Sequence, residues 1–178
     1  MRTVSARLLA LGLLVTASAV VAQTPSVPST LEGAWRRQPS ATEARRTVIA
    51  AFEPRLEVFP EMLRGIARDR ITESLPMADR IEIAVAAERV RVAYVTQRRV
   101  VIDTPLGGSA RVRLEDGDER RAVQRLRGGW LEQVFTDDQG RVERLLSTEP
   151  DGSTLHLDYT VHNSRLGAPV RWRIDYRR

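Results

Sequence analysis

The chain has 178 residues, 28 of them basic and 23 acidic, for a formal charge of +5; every basic residue is Arg, and Lys and Cys are absent. That composition excludes disulfide scaffolds, Cys-ligated metal centres, thiol nucleophiles, Schiff-base chemistry and a P-loop, each of which needs a Cys or a Lys. A chain of this length supports one domain with a substantial core.

Residues 1–22 read as a secretory signal peptide. Arg2 and Arg7 form a basic start, and Leu8 to Leu14 is an apolar run that Val15, Ala17, Ala19, Val20 and Val21 extend. Small residues then allow cleavage after Ala22, with Ala19 as the alternative cut. The run is shorter than the ~20 residues of a membrane span, and no Cys follows it to carry a lipid. The expected location is therefore the periplasm or the exterior, with no integral span after signal removal. The cut at Ala22 takes two Arg and no acid, leaving 156 residues and a charge of +3. So modest a charge, carried on dispersed Arg pairs interleaved with acids and on only nine aromatic residues, points away from a nucleic-acid partner.

Residues 23–30 (QTPSVPST) form a polar, Pro-containing linker, and a single domain is expected over 31–178. Residues 31–37 suit a short strand. Helices are expected over about 40–75. Ser40 and Glu43 have capping-box spacing, and Ala44, Val48, Ile49, Ala51 and Phe52 follow at helical intervals until Pro54, which should end or bend the helix. A second apolar stripe, Leu56, Phe59, Met62, Leu63, Ile66 and Ile71, begins near Pro60 and is read as a core face; Arg64, Arg68 and Arg70 are read as its solvated side.

From Asp79 the period becomes two. Nine alternating runs follow, from Ile81-x-Ile83-x-Val85 to Val170-x-Trp172-x-Ile174-x-Tyr176, punctuated by Gly107-Gly108, Asp116-Gly117, Gly128-Gly129 and Asp151-Gly152. Short strands of this kind at regular spacing predict an antiparallel up-and-down meander over about 80–178, with residues 31–37 as a tenth strand, curling into a barrel or sandwich.

Gly33-Ala-Trp35 resembles the Gly-x-Trp of the first barrel strand in lipocalins and fatty-acid-binding proteins. Two helices directly after that strand are similar to the fatty-acid-binding layout, and Gly129-Trp130-Leu131-Glu132-Gln133 and the last strand ending at Tyr176-Arg177 also look like it. The chain also resembles small exported bacterial proteins of the same helices-then-meander form. The resemblance implies a mainly β, calycin-like barrel with an N-terminal helical hairpin, and a hydrophobic or amphipathic small molecule inside it. One departure matters. The family's last strand carries an inward Arg-x-Tyr pair that grips a carboxylate. Here Arg173 and Tyr176 have opposite parity and face opposite sides of a regular strand. Arg144 shares parity with Val142 and Leu146 and is the Arg expected inside, near where the family carries an inward Arg on an earlier strand. Gln133, Arg144 and Tyr176, with Gln124 next, are the expected ligand-binding polar set.

Other chemistry is weaker. His156 and His162 share a strand face but stand ~20 Å apart along it, too far to share one metal ion; an outer polar face is expected and no metal. Glu115, Asp116, Asp118 and Glu119 straddle a Gly turn and lack the spacing of a calcium loop. No G-x-S-x-G is present. The expectation is an exported, non-enzymatic carrier without cofactor; the alternative is an envelope protein-interaction module whose barrel is filled by side chains.

Overall fold

The computed structural model describes residues 29–178 apart from 76, 87, 88, 115, 116, 128 and 139. The stretch read as a signal peptide and most of the expected linker lie outside the described residues. Ten strands and two helices follow one another in the expected order. They are β1 (Gly33–Arg37), α1 (Ala41–Leu56), α2 (Glu61–Ser74), β2 (Arg80–Ala86), β3 (Arg89–Val95), β4 (Arg99–Pro105), β5 (Ser109–Arg113), β6 (Glu119–Arg127), β7 (Trp130–Thr136), β8 (Gly140–Thr148), β9 (Thr154–Asn163) and β10 (Val170–Arg177).

The alternation of each run becomes the two faces of one antiparallel sheet. On β10, Val170, Trp172, Ile174 and Tyr176 are buried while Arg171, Arg173 and Arg177 face solvent. The sheet order is β4-β3-β2-β1-β10-β9-β8-β7-β6-β5, so it curls round until β4 and β5 meet without a hydrogen-bonded ladder. The result is a nearly closed barrel with one seam. The helices and the turns after β3, β5, β7 and β9 occupy one end, the lid end. The C-terminal ends of β2, β4, β6 and β8 point to the base, which Leu31 plugs from a short 3-10 turn; Trp35 Nε1 donates to the Leu31 carbonyl at 3.0 Å.

Helix α1 begins at the expected capping box: Glu43 N donates to Ser40 Oγ at 3.2 Å and Ser40 N to Glu43 Oε2 at 2.8 Å. Ala44, Val48, Phe52 and Leu56, every fourth residue, are buried against the barrel. Pro54 does not end the helix, which runs on to Leu56. In the last turn a proline removes little from the helix, because few hydrogen bonds remain downstream of it.

Helix α2 departs from expectation. Its stripe is not a core face along its whole length: Met62 is 82% and Ile66 60% exposed, Val58 and Leu63 are exposed beside them, and only Phe59, Ala67 and Ile71 reach the core. Polar bonds hold the helix instead. Arg68 pairs with Glu53 of α1, and Arg64 donates to the carbonyls of Phe59 and Glu57 in the connecting loop. Arg64 and Arg68 are thus half-buried and bonded across the hairpin, while Arg70 is exposed on its solvated side.

Candidate ligand-binding site

Inward residues stack in rows across the strands. One row runs Ala122, Phe135, Val142, Val161 and Val170 over β6 to β10. The next, toward the base, runs Gln124, Gln133, Arg144, Tyr159 and Trp172. This second row is a polar and aromatic belt, and it gathers three of the four residues that sequence parity brings inside.

The two glutamines of the belt are bonded in a chain. The Tyr94 hydroxyl donates to Gln133 Oε1 at 2.5 Å, Gln133 Nε2 to Gln124 Oε1 at 2.7 Å, and Gln124 Nε2 to the Val90 carbonyl at 2.8 Å and Thr104 Oγ1 at 3.0 Å. Every bond runs in the same sense, an arrangement in which successive hydrogen bonds polarise one another. Gln124 also accepts from Gly107 N at 2.7 Å through its backbone carbonyl. It therefore ties β6 to β3, to β4 and to the β4–β5 turn, bridging the seam where the sheet has no ladder.

Arg144 is the half-buried member of the belt. Its guanidinium lies 4.5 Å from the ring centre of Tyr94, 4.6 Å from Phe135 and 5.3 Å from Tyr159. Burial holds the Tyr94 hydroxyl well above the ordinary phenol range; the charge of Arg144 and a hydrogen bond from it act in the opposite direction. Tyr176, fully buried, donates to the Ala78 carbonyl at 3.2 Å, and burial raises its hydroxyl too. It stands apart from the belt, below the start of β2. Gln124 and Gln133 are likewise fully buried, with their hydrogen bonds directed at protein groups.

Space lies at the lid end. A groove of about 530 Å³ opens between the hairpin and the barrel rim, walled by Phe52, Leu56, Phe59 and Ile71 from the helices and by Val142 and Val161 from the sheet. Its mouth carries Arg70, Arg120, Arg141 and Arg165, with Asp118 and Asp137 as the acids among the described lining. Below the groove, Trp172 packs on Phe52 of α1, with ring centres 5.6 Å apart, and stacks on Tyr159 at 4.8 Å. The buried Trp172 indole N–H has no acceptor among the described residues.

Arg120 is a second inward arginine. It shares parity with Ala122 and Gln124, so the alternation contained the signal, but its place in the Arg120-Arg121 pair reads as a turn-edge cluster. In the fold it is nearly buried and pairs with Asp137 at 2.9 Å. The groove itself has no sequence signal, since it arises between elements remote in the chain.

The outer face takes the remaining candidates. Arg173 points outward as its parity requires and holds Asp158 through Nε at 2.7 Å and Nη2 at 2.9 Å. His156 lies between two carboxylates, Nδ1 at 2.7 Å from Asp175 and Nε2 at 2.8 Å from Glu149. The Asp175 bond foremost, seconded by Glu149, raises its pKa against the opposing effect of burial. His162 approaches Glu143 at 3.3 Å. The two imidazoles have separate partners. Among the described residues no three His, Asp or Glu side chains converge as a metal set, and no helix is long and apolar enough to cross a membrane.

No protein-family model matches the chain, and no curated protein matches it. Solved structures do. A Schistosoma mansoni fatty-acid-binding protein in complex with arachidonic acid is 16% identical, with a TM-score of 0.58 over 84% of this chain and 96% of that one. A zebrafish ileal bile-acid-binding protein complexed with cholic acid is 12% identical, with a TM-score of 0.53 over 84% and 99%. A secretory abundant heat-soluble protein from Ramazzottius varieornatus is 12% identical, with a TM-score of 0.56 over 85% and 97%. At this identity the likeness establishes the fold: a calycin barrel of the fatty-acid-binding-protein type.

Proposed function

We propose that this protein is an exported, non-enzymatic carrier of an apolar or amphipathic small molecule, held beneath the helical hairpin at the lid end of the barrel. The observation that carries the reading is the groove of about 530 Å³, walled by the undersides of both helices and the upper inward row of the sheet. A space of that size and lining suits a single small ligand, and burial of its apolar surface contributes ~25 cal/mol per Å². The structural neighbours include proteins solved with arachidonic acid and with cholic acid, which supports the same reading by fold. Of the four polar residues expected from parity, Gln124, Gln133 and Arg144 share the row below Ala122, Phe135 and Val142, and Tyr176 stands apart from them.

The test is a titration of the purified protein with a fluorescent fatty acid, with mass spectrometry of an organic extract of protein taken from its native host. Saturable uptake that Val161→Trp abolishes without loss of fold supports the carrier. An empty extract together with no uptake sinks it. Export predicts that the protein from that host resides in the periplasm or medium and begins at Gln23.

One observation favours a second reading, the envelope interaction module. Val58, Met62, Leu63 and Ile66 form an exposed apolar stripe on the hairpin while the lower barrel is filled with side chains. Crosslinking from residue 62 in intact cells separates the two: one protein partner captured reproducibly, in the absence of ligand uptake, selects the module.

A further inference from the structure

We infer that the outer face of the hairpin docks a basic amphipathic helix of a partner protein. The partner so described is that of the stripe on which the interaction-module reading rests, and a carrier that meets its partner at the lid uses the same face.

Three observations carry this. The first is the layout of α2 and the loop before it. Met62 and Ile66 stand four residues apart, Val58 lies four residues before them, and all three are exposed, with Leu63 beside them. Residues four apart on a helix form one ridge. The adjoining ridge is Glu61, Gly65, Asp69 and Glu73, and Glu57 precedes it in the loop. An exposed apolar ridge thus runs beside an acidic one.

The second is that the fold has no use for those acids. Asp69 and Glu73 are like charges four residues apart, which weakens a helix. Glu73 sits in the last turn, where the helix dipole disfavours an acid and where α2 has no basic residue. Glu57, Glu61 and Asp69 have no ion-pair partner among the described residues, and Glu73 has only the exposed Arg70 at 3.7 Å. The other arginines of α2 are engaged elsewhere, Arg68 with Glu53 and Arg64 with the loop carbonyls. Four exposed acids therefore stand against one exposed arginine, on a chain whose formal charge is +5.

The third is Gly65, midway along the acidic ridge in a helix interior, where Gly is disfavoured relative to Ala. A Cβ there would meet nothing within 4 Å, so no contact inside the chain requires a glycine. The missing side chain leaves a notch between Glu61 and Asp69 through which a second backbone can approach closely.

These features select the occupant. A helix with an apolar ridge flanked by Lys or Arg matches both ridges: apolar side chains on each partner leave water, and the charges are complementary. An anionic membrane surface would meet the acids with like charge. A second copy would set the acidic face against itself across a two-fold axis.

The experiment titrates the purified protein, at pH 7 and 50 mM NaCl, against two labelled fourteen-residue amphipathic peptides, one of leucine and lysine and one of leucine and glutamate, read by fluorescence anisotropy. The basic peptide is expected to bind about tenfold tighter, against the net charge of the protein, and 500 mM NaCl to reduce that ratio to about twofold. The triple substitution Glu61→Gln, Asp69→Asn and Glu73→Gln brings the ratio to within about twofold. Met62→Ser with Ile66→Ser, both at exposed positions, weakens both peptides about tenfold. A charge-matched pair toward the base, Asp103→Asn with Asp151→Asn, keeps the ratio. Thermal melts establish that each variant is folded.

Equal binding of the two peptides by the unaltered protein overturns this inference and leaves the interaction module standing. A preference that survives the hairpin substitutions, or is lost in the base pair, overturns it as well. Binding to phosphatidylglycerol vesicles that the serine pair abolishes assigns the face to a membrane and overturns it. A dimer in sedimentation equilibrium that the serine pair dissolves assigns it to a second copy, with the same consequence. Failure to bind either peptide also overturns it, and crosslinking from residue 62 then decides the module alone.

Discussion

The base and the lid end of this barrel use the same alternating strands for opposite purposes. Toward the base, Leu31, Trp35, Leu155, Leu157 and Tyr176 are sealed from solvent, and the belt above them closes its hydrogen bonds on itself. At the lid end, α1 inserts a buried stripe, but α2 contributes no fully buried side chain among those described and leaves large apolar side chains in water. The contrast shows where packing has been completed and where it has been left open. A filled base supplies a rigid cup, and an open groove under a hairpin held by arginine bonds supplies adaptable space. Under the carrier reading, the ligand site lies at the incomplete end.

The sharpest way to break the contrast is to open the base. Gln133→Leu takes the acceptor from the Tyr94 O–H and the donor from Gln124 Oε1, and two such losses in a buried site cost about 2–4 kcal/mol. Urea unfolding should show that loss, and a change below about 0.5 kcal/mol would mean that the belt is not the keystone described. A smaller effect comes from His156, which ties the β8–β9 turn at the base to β10 through Glu149 and Asp175. Its folded pKa is raised, so its contribution is complete below the unfolded value of about 6.5 and is lost as pH rises through the folded value. The stability advantage of the unaltered protein over His156→Gln should therefore shrink between pH 5.5 and pH 9; an advantage flat across that range contradicts the clamp. Least of all should depend on the outer surface of the lid. Met62→Ser and Ile66→Ser, at exposed positions, are expected to change stability by about 0.5 kcal/mol or less, and a larger loss in thermal unfolding would show that α2 packs more tightly than its exposure indicates.

What could be read beforehand follows the same division. Period-two alternation is the direct imprint of a sheet with one wet face, so ten strands, their order and the inward parity of Gln124, Gln133, Arg144 and Tyr176 were legible. Parity names a face and not a partner. It could not tell that Gln133 bonds to Gln124 and Tyr94 rather than to a cavity, because that depends on register across β3, β6 and β7. The stripe on α2 was legible as a stripe; what it faces depends on how far the hairpin stands from the barrel, which no local pattern encodes. The seam between β4 and β5 was equally silent, since both strands alternate like their neighbours. Arg173 could be placed outside and Arg144 inside because their parity is unambiguous. Arg120 was hidden by the charged company of Arg121 and Glu119.

The seam has a further consequence for how the chain reaches this state. Of the nine ladders in the described sheet, eight join strands adjacent in sequence, and the ninth joins β1 to β10. The molecule is thus a strip whose edges, β4 and β5, are separated by only a short turn, while its continuity depends on the two ends of the domain finding each other. That meeting is narrow: Arg36 opposite Arg177 and Arg37 opposite Tyr176. It is reinforced where Arg178 donates to the carbonyls of Thr30 and Glu32 and lies 4.8 Å above the Trp35 ring. The meanders β2–β4 and β5–β10 can form early, because their loops are short, whereas β1–β2 must span the helical hairpin and β1–β10 closes a loop of nearly the whole domain and bears its entropy. Refolding after dilution from urea should accordingly be limited by that closure, with Trp35 reporting the slow step, and truncating the chain before Arg177 should slow folding more than any change at the seam.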